Sequence, residues 1–209
     1  MDRRHALQLL GALATSPFLA SLPLEELEAA GLRAHAAVAG GAAPGTLTAA
    51  ERALLAAAVD TIIPRTSTPG AVDVGVPAFA ELMLASWYPA AETDAVRAGL
   101  AELDATARAR HGRAFAALGE RARLALLAPL DAAQAAARDA AGRAGAPPAG
   151  PAHWFETLRF LAVWGWCTSS AVQQEVLHAW PPPGRYDPDA RRGGRARSGE
   201  AGHPSPGHD

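Results

Sequence analysis

Asp60, Arg65, Thr66 and Thr68 come nearest, by type and spacing, to a reactive site in this chain. A carboxylate could take a proton, a guanidinium could hold an anion, and two hydroxyls could bind those of a sugar. No second titratable group lies beside Asp60 to complete an acid–base pair. Its plainer reading is a cap on loop N–H groups or an ion pair with an Arg. Glu175 and His178 lie one helical turn apart, which suits a solvated surface pair. The seven His are scattered, without H-E-x-x-H or i, i+4 spacing, so no helical zinc site is expected. There is no G-x-G-x-x-G for a dinucleotide or flavin, no C-x-x-C-H for c-type haem, and no G-x-S-x-G elbow. All 19 basic Lys/Arg positions are Arg, which excludes a Schiff-base or phosphate-loop lysine. No catalytic, cofactor-binding or metal residue is therefore assigned to this chain.

The element that presents Asp60, Arg65 and the threonines is a loop with defined backbone chemistry. Val59–Ile63 reads as the end of an apolar helix, stopped by Pro64, which lacks an N–H and biases Ile63 away from the α region. Pro69-Gly70 suits the central positions of a type II turn. Gly75 marks a second special backbone position, and Pro77 stands where a new helix would begin. The composition is that of an ordered surface loop.

The flanking segments are helical. Thr48-Ala49-Ala50-Glu51 reads as a capping box, followed by an apolar stripe of Leu54, Leu55, Ala58, Val59 and Ile62. Phe79, Leu82, Met83 and Trp87 line a second helix that ends near Pro89. Val96, Leu100, Leu103 and Ala107 indicate a third. Phe115, Leu118, Leu124, Leu127 and Leu130 indicate a fourth region, broken by Gly119 and Pro129. Trp154–Trp164 is the most aromatic helix, which Gly165 can break. Trp166–Ser170 then reads as a turn, with Ser or Thr available to cap a last helix reaching about Ala179. No strand-like alternation is evident, so the fold class is all-α, a small irregular helical bundle. Trp164 and Trp166 are either core packing or anchors for a partner, since Trp is enriched at interface hot spots. Cys167, the single cysteine, excludes an internal disulfide and reads either as a buried small hydrophobe or as a bond to a partner chain.

Three ordered motifs carry a family resemblance. Asp60-x-Ile62-Ile63-Pro64-x-Thr66-x-Thr68-Pro69-Gly70-Ala71 leads into Gly75-Val76-Pro77-x-Phe79. Gly165-Trp166-Cys167-Thr168-Ser169 and a closing Pro183-Gly184-x-Tyr186 follow in order. Together, from about Leu47 to Tyr186, they resemble the gluconate 2-dehydrogenase subunit 3 family. Three departures stand out: Ser67 replaces a usual Asp, Cys167 replaces an aromatic, and Ser170 stands where an acidic residue is common. The resemblance implies a non-catalytic accessory (gamma, or small) subunit of an exported dehydrogenase acting on sugars or sugar acids. It implies an FAD-dependent catalytic partner of the GMC oxidoreductase type, often with a multihaem cytochrome c. FAD is expected in the partner and no cofactor in this chain. The partner contact is expected at Thr66, Thr68, Pro69, Gly70 and Gly75, and at Trp164, Trp166, Cys167, Thr168, Ser169 and Tyr186. The competing expectation is an independent periplasmic sugar-binding protein or enzyme that uses the Asp60–Gly75 loop.

Length and charge fit this reading. At 209 residues the chain suits one core domain with extensions, and a formal net charge of -2 gives no electrostatic footprint for nucleic acid. Arg3-Arg4 with Leu7, before a weakly apolar run, resembles a twin-arginine export leader; the plainer alternative is an amphipathic N-terminal helix. Periplasmic or membrane-associated localisation follows from such a leader. The boundaries are then residues 1–22 for the leader, 23–46 for a flexible linker, 47–186 for the helical domain and 187–209 for a disordered tail. Ala34-His35-Ala36 has the small-residue pattern of a cleavage site but lies far from the apolar run.

Overall fold

A computed structural model describes residues 23–42, 47–144 and 153–177. The expected leader, the tail, Tyr186, His178 and the Arg3, Arg4 and Leu7 positions lie outside the described residues. Those described form an all-helical bundle, as the periodicity predicts. The helices are α1 (Leu24–Ala39), α2 (Ala49–Ile62), α3 (Val76–Ser86), α4 (Ala90–His111), α5 (Glu120–Ala144) and α6 (Trp154–Thr168). A short 3-10 turn, Phe115–Ala117, precedes α5, and a π-helical turn, Val172–Val176, follows α6.

Helix α6 sits at the centre and packs against each of the other α-helices. Its sequence explains this position. Phe155, Leu158, Phe160, Leu161, Ala162 and Trp164 are buried on several faces, and a helix that is apolar all round belongs inside. Trp164 anchors an aromatic cluster, edge-on to Phe79 at 5.4 Å between centroids and tilted against Phe160 at 5.4 Å. Gly165 does not break the helix. A Cβ there would lie 2.6 Å from Phe79, so the glycine is what lets α3 approach α6 closely.

The stretch expected as a linker is mostly helix α1. Leu27, Ala30 and Ala34 recur at helical spacing and are buried, a stripe masked in the sequence by its Ala and Gly content. Leu27 accepts a hydrogen bond from the Trp164 indole N–H at 2.9 Å. His35 stacks on Phe79 and donates to the Gly165 carbonyl at 2.7 Å. The A-x-A pattern at Ala34–Ala36 thus lies inside a docked helix.

Helix α2 opens with the predicted capping box, in which the Thr48 hydroxyl accepts from the Glu51 N–H and Glu51 accepts from the Thr48 N–H. Glu51 also receives Arg97 of α4 at 2.8 Å. Glu81 on α3 is buried yet supplied, accepting from Arg52 at 3.0 Å and from the Leu47 N–H at 3.2 Å. This meets the requirement that buried charge be paired. Helix α5 begins just after Gly119 and runs unbroken through Pro129, where the sequence predicts a break. Buried Leu126 and Leu127, with half-buried Leu130, hold both halves against the bundle, so packing outweighs one missing backbone bond.

Candidate functional site

Pro64 to Gly75 links α2 to α3, and many of its polar groups are used within the molecule. Helix α2 ends at Ile62, as Pro64 dictates. The Ile63 carbonyl accepts from the Ala71 N–H at 2.9 Å, which pinches the loop at its base. The Thr66 N–H donates to the Thr68 carbonyl at 3.0 Å, and the two threonine hydroxyls lie 3.3 Å apart. Asp73 accepts from the Gly70 N–H at 2.7 Å and pairs with Arg65. The Arg65 guanidinium, then the Gly70 N–H, holds the Asp73 carboxyl below its ordinary value. Gly75, the second special backbone position of the sequence, takes φ +78 in the left-handed region and caps α3 with Pro77 in the first turn. Gly70 does not take the positive φ of a type II turn. Its role is close approach: a Cβ would fall 2.6 Å from the Arg65 nitrogen.

The second expected contact segment reaches this loop directly. The Trp166 indole N–H donates to the Pro69 carbonyl at 2.8 Å. Trp166–Thr168 is the last turn of α6 rather than a free turn, with Ser169 as its C-cap. The Ser169 hydroxyl donates to the Trp166 carbonyl, and the Thr168 hydroxyl to that of Trp164. The structure therefore joins the two motifs to each other. It also buries half of their described residues. Trp164, Cys167, Thr168, Ser169 and Gly70 are buried, Thr68, Pro69, Gly75 and Trp166 are half-buried, and only Thr66 is fully exposed. Trp164 is core, and burial pushes the Cys167 thiol up to about 11. That leaves Cys167 a protonated small hydrophobe at neutral pH, the first of its two readings.

The polar residues considered for chemistry do not converge. Asp60 pairs with Arg123 of α5 at 3.1 Å, the plainer of its two readings, and Arg65 is engaged by Asp73. Among the described residues no group of three or more His, Cys, Asp or Glu could hold a metal ion. No described helix is long and apolar enough to cross a membrane.

A different concavity carries the less satisfied chemistry. A groove of about 450 Å³ lies between the end of α2, α5 and α6, lined by Ile62, Ile63, Leu124, Leu127, Val163 and Arg159 among others. Arg159 donates from Nη1 to Asp131 at 3.1 Å, while its Nε and Nη2 are buried without an acceptor. Burial, then the neighbouring Arg138, lowers its pKa. The sequence offered one signal for this site, an Arg in the middle of the most aromatic helix.

Residues 49–184, the capped start of α2 through the Pro-Gly of the closing motif, match the family described as gluconate 2-dehydrogenase subunit 3. The chain belongs to that family. The match takes in the Asp60–Phe79 loop and the Gly165–Ser169 element that form one contact in the fold, and it leaves α1 outside. The family is that of a subunit, which implies a multi-subunit gluconate dehydrogenase. No curated protein and no solved structure matches the chain.

Proposed function

We propose that the chain is a non-catalytic accessory subunit of a flavin-dependent sugar or sugar-acid dehydrogenase, and that it stabilises the flavoprotein and supplies its export signal. The family match over residues 49–184 carries the reading. The polar groups of this chain support it. Asp60 and Arg65 are each held in an ion pair, and Cys167 is kept protonated by burial, so none is poised as base, anion site or nucleophile. The flavin belongs to the GMC-type partner, and a multihaem cytochrome c is a natural electron acceptor for such a complex.

The test is co-expression of the full chain with a GMC-type flavoprotein from the same genome. Affinity purification through this chain should yield a yellow complex that oxidises gluconate or a related sugar, while the chain alone binds and oxidises none. Sugar turnover or binding by the isolated chain would favour the independent enzyme or binding protein instead. Export is tested by changing Arg3 and Arg4 to Lys. Charge is kept, but the planar donor fork a twin-arginine receptor would recognise is lost. Both proteins should then stay in the cytoplasm. Release of the flavoprotein despite retention of this chain would refute a shared leader.

A further inference from the structure

The groove between α2, α5 and α6 has features that the bundle itself does not use. Leu124 on its rim is 54% exposed, the most exposed of the large hydrophobics among the described residues. Ile62, Ile63, Leu127 and Val163 extend that apolar surface inward. At its floor stands Arg159, a planar cation with five N–H donors. Its side chain is only 16% exposed, yet it has a single acceptor, Asp131. Buried donors without acceptors are costly, and native structures satisfy nearly all of them. Asp131, by contrast, is 53% exposed and can return to water at little cost. The neighbouring Arg138 is already engaged by Glu156 at 3.1 Å.

We propose that this groove is the docking site for an apolar segment of the flavoprotein subunit that carries an Asp or Glu, whose carboxylate takes the Arg159 guanidinium. The proposal rests on the accessory-subunit reading and adds the surface and its chemistry. Charge complementarity sets the partner's sign. An incoming carboxylate displaces Asp131 and engages two guanidinium nitrogens at once, a geometry Arg favours over Lys. The apolar body of the segment covers Leu124. Desolvation by that body strengthens the ion pair at its centre, the arrangement of a hot spot ringed by water-excluding contacts. The groove's apolar lining continues outward along Leu124, which suits a chain segment lying across the surface.

The experiment titrates the flavoprotein subunit with full-length variants of this chain and records each free variant's melting temperature. Leu124→Asp and Arg159→Gln should each weaken association tenfold or more. Leu32→Asp and Val72→Asp, at equally exposed apolar positions elsewhere, should change it less than twofold. Leu124→Asp sits at an exposed site and should fold normally, so it decides the matter even if Arg159→Gln is unstable. Wild-type affinity in Leu124→Asp overturns the groove and leaves the accessory reading intact. Failure of the wild-type chain to bind the flavoprotein at all overturns both. If sedimentation shows the free chain to be a dimer that Leu124→Asp separates, while the complex still forms, a second copy is the occupant and the partner proposal fails.

Discussion

The Pro64–Gly75 loop and the α2–α5–α6 groove both start from the C-terminal end of α2, and they treat their polar groups differently. In the loop, Thr66, Gly70, Ala71 and Asp73 all find partners within eight residues, and Trp166 closes it from α6. In the groove, Arg159 has one acceptor and a half-covered apolar wall. A loop dense in Pro, Gly and Thr looks like a contact surface because its backbone is so closely specified. The specification serves internal order, since each turn residue satisfies a neighbour and leaves little to offer outside. A surface that needs a partner shows the reverse, donors without acceptors beside exposed apolar atoms.

The largest expected effect tests whether the tryptophans fall on the closed side of this comparison. Trp164→Ala removes a fully buried ring that touches Phe79, Trp87 and Phe160 and leaves the Leu27 carbonyl without its donor. Loss of a buried Trp costs about 3–5 kcal/mol. Denaturant unfolding of the free chain should show that loss, and α1 should loosen first, since Leu27 is on it. Unchanged stability with weakened association would return Trp164 to the interface and break the comparison.

Much of the fold was legible because its signals are local. The capping box at Thr48, the stop at Pro64 and the left-handed Gly75 need no tertiary knowledge. What escaped depended on partners far along the chain. Helix α1 looked like a linker because Ala and Gly hide its stripe, and only contact with Trp164 and Gly165 shows why those small residues stand there. Gly31 makes the point, since a Cβ on it would lie 2.6 Å from Thr168. Gly165 and Gly70 carry the same ambiguity: a glycine chosen for close approach reads like one chosen for a turn. The candidate site was legible as family motifs, but the burial of half its described residues was not. Burial of Trp164, Cys167 and Thr168 follows from α6 being surrounded, which no single-helix periodicity reveals.

A smaller effect is expected where the two motifs meet. Trp166→Phe keeps an aromatic ring near the loop but removes the donor to the Pro69 carbonyl. The loss should be about 1 kcal/mol, the net worth of one such bond. Hydrogen exchange should localise it, with faster exchange at Gly70 and Ala71 and no change in the α5 amides. Association with the flavoprotein should match wild type. A tenfold weaker complex would mean that the loop meets the partner after all.

The smallest effect concerns the exposed Arg65–Asp73 pair and its dependence on pH. The Arg65 guanidinium, followed by the Gly70 N–H, holds the Asp73 carboxyl below its ordinary value. A carboxyl depressed in the folded state contributes order above its unfolded pKa of about 4 and loses it as pH falls through the lower folded value. The loop should therefore be fully ordered at neutral pH and loosen only in acid. Because the pair is exposed, the change stays local and shrinks with added salt. Following the Gly70 amide resonance by NMR from about pH 6 downward should show a single transition below about 4. In Asp73→Asn the resonance should stay flat over that range, since the amide does not ionise. The same variant weakens the loop's own network without touching Leu124 or Arg159, so it should bind the flavoprotein as tightly as wild type at neutral pH. A marked loss of affinity in Asp73→Asn would show that loop order is needed for docking, and the division between a closed loop and an open groove would fall.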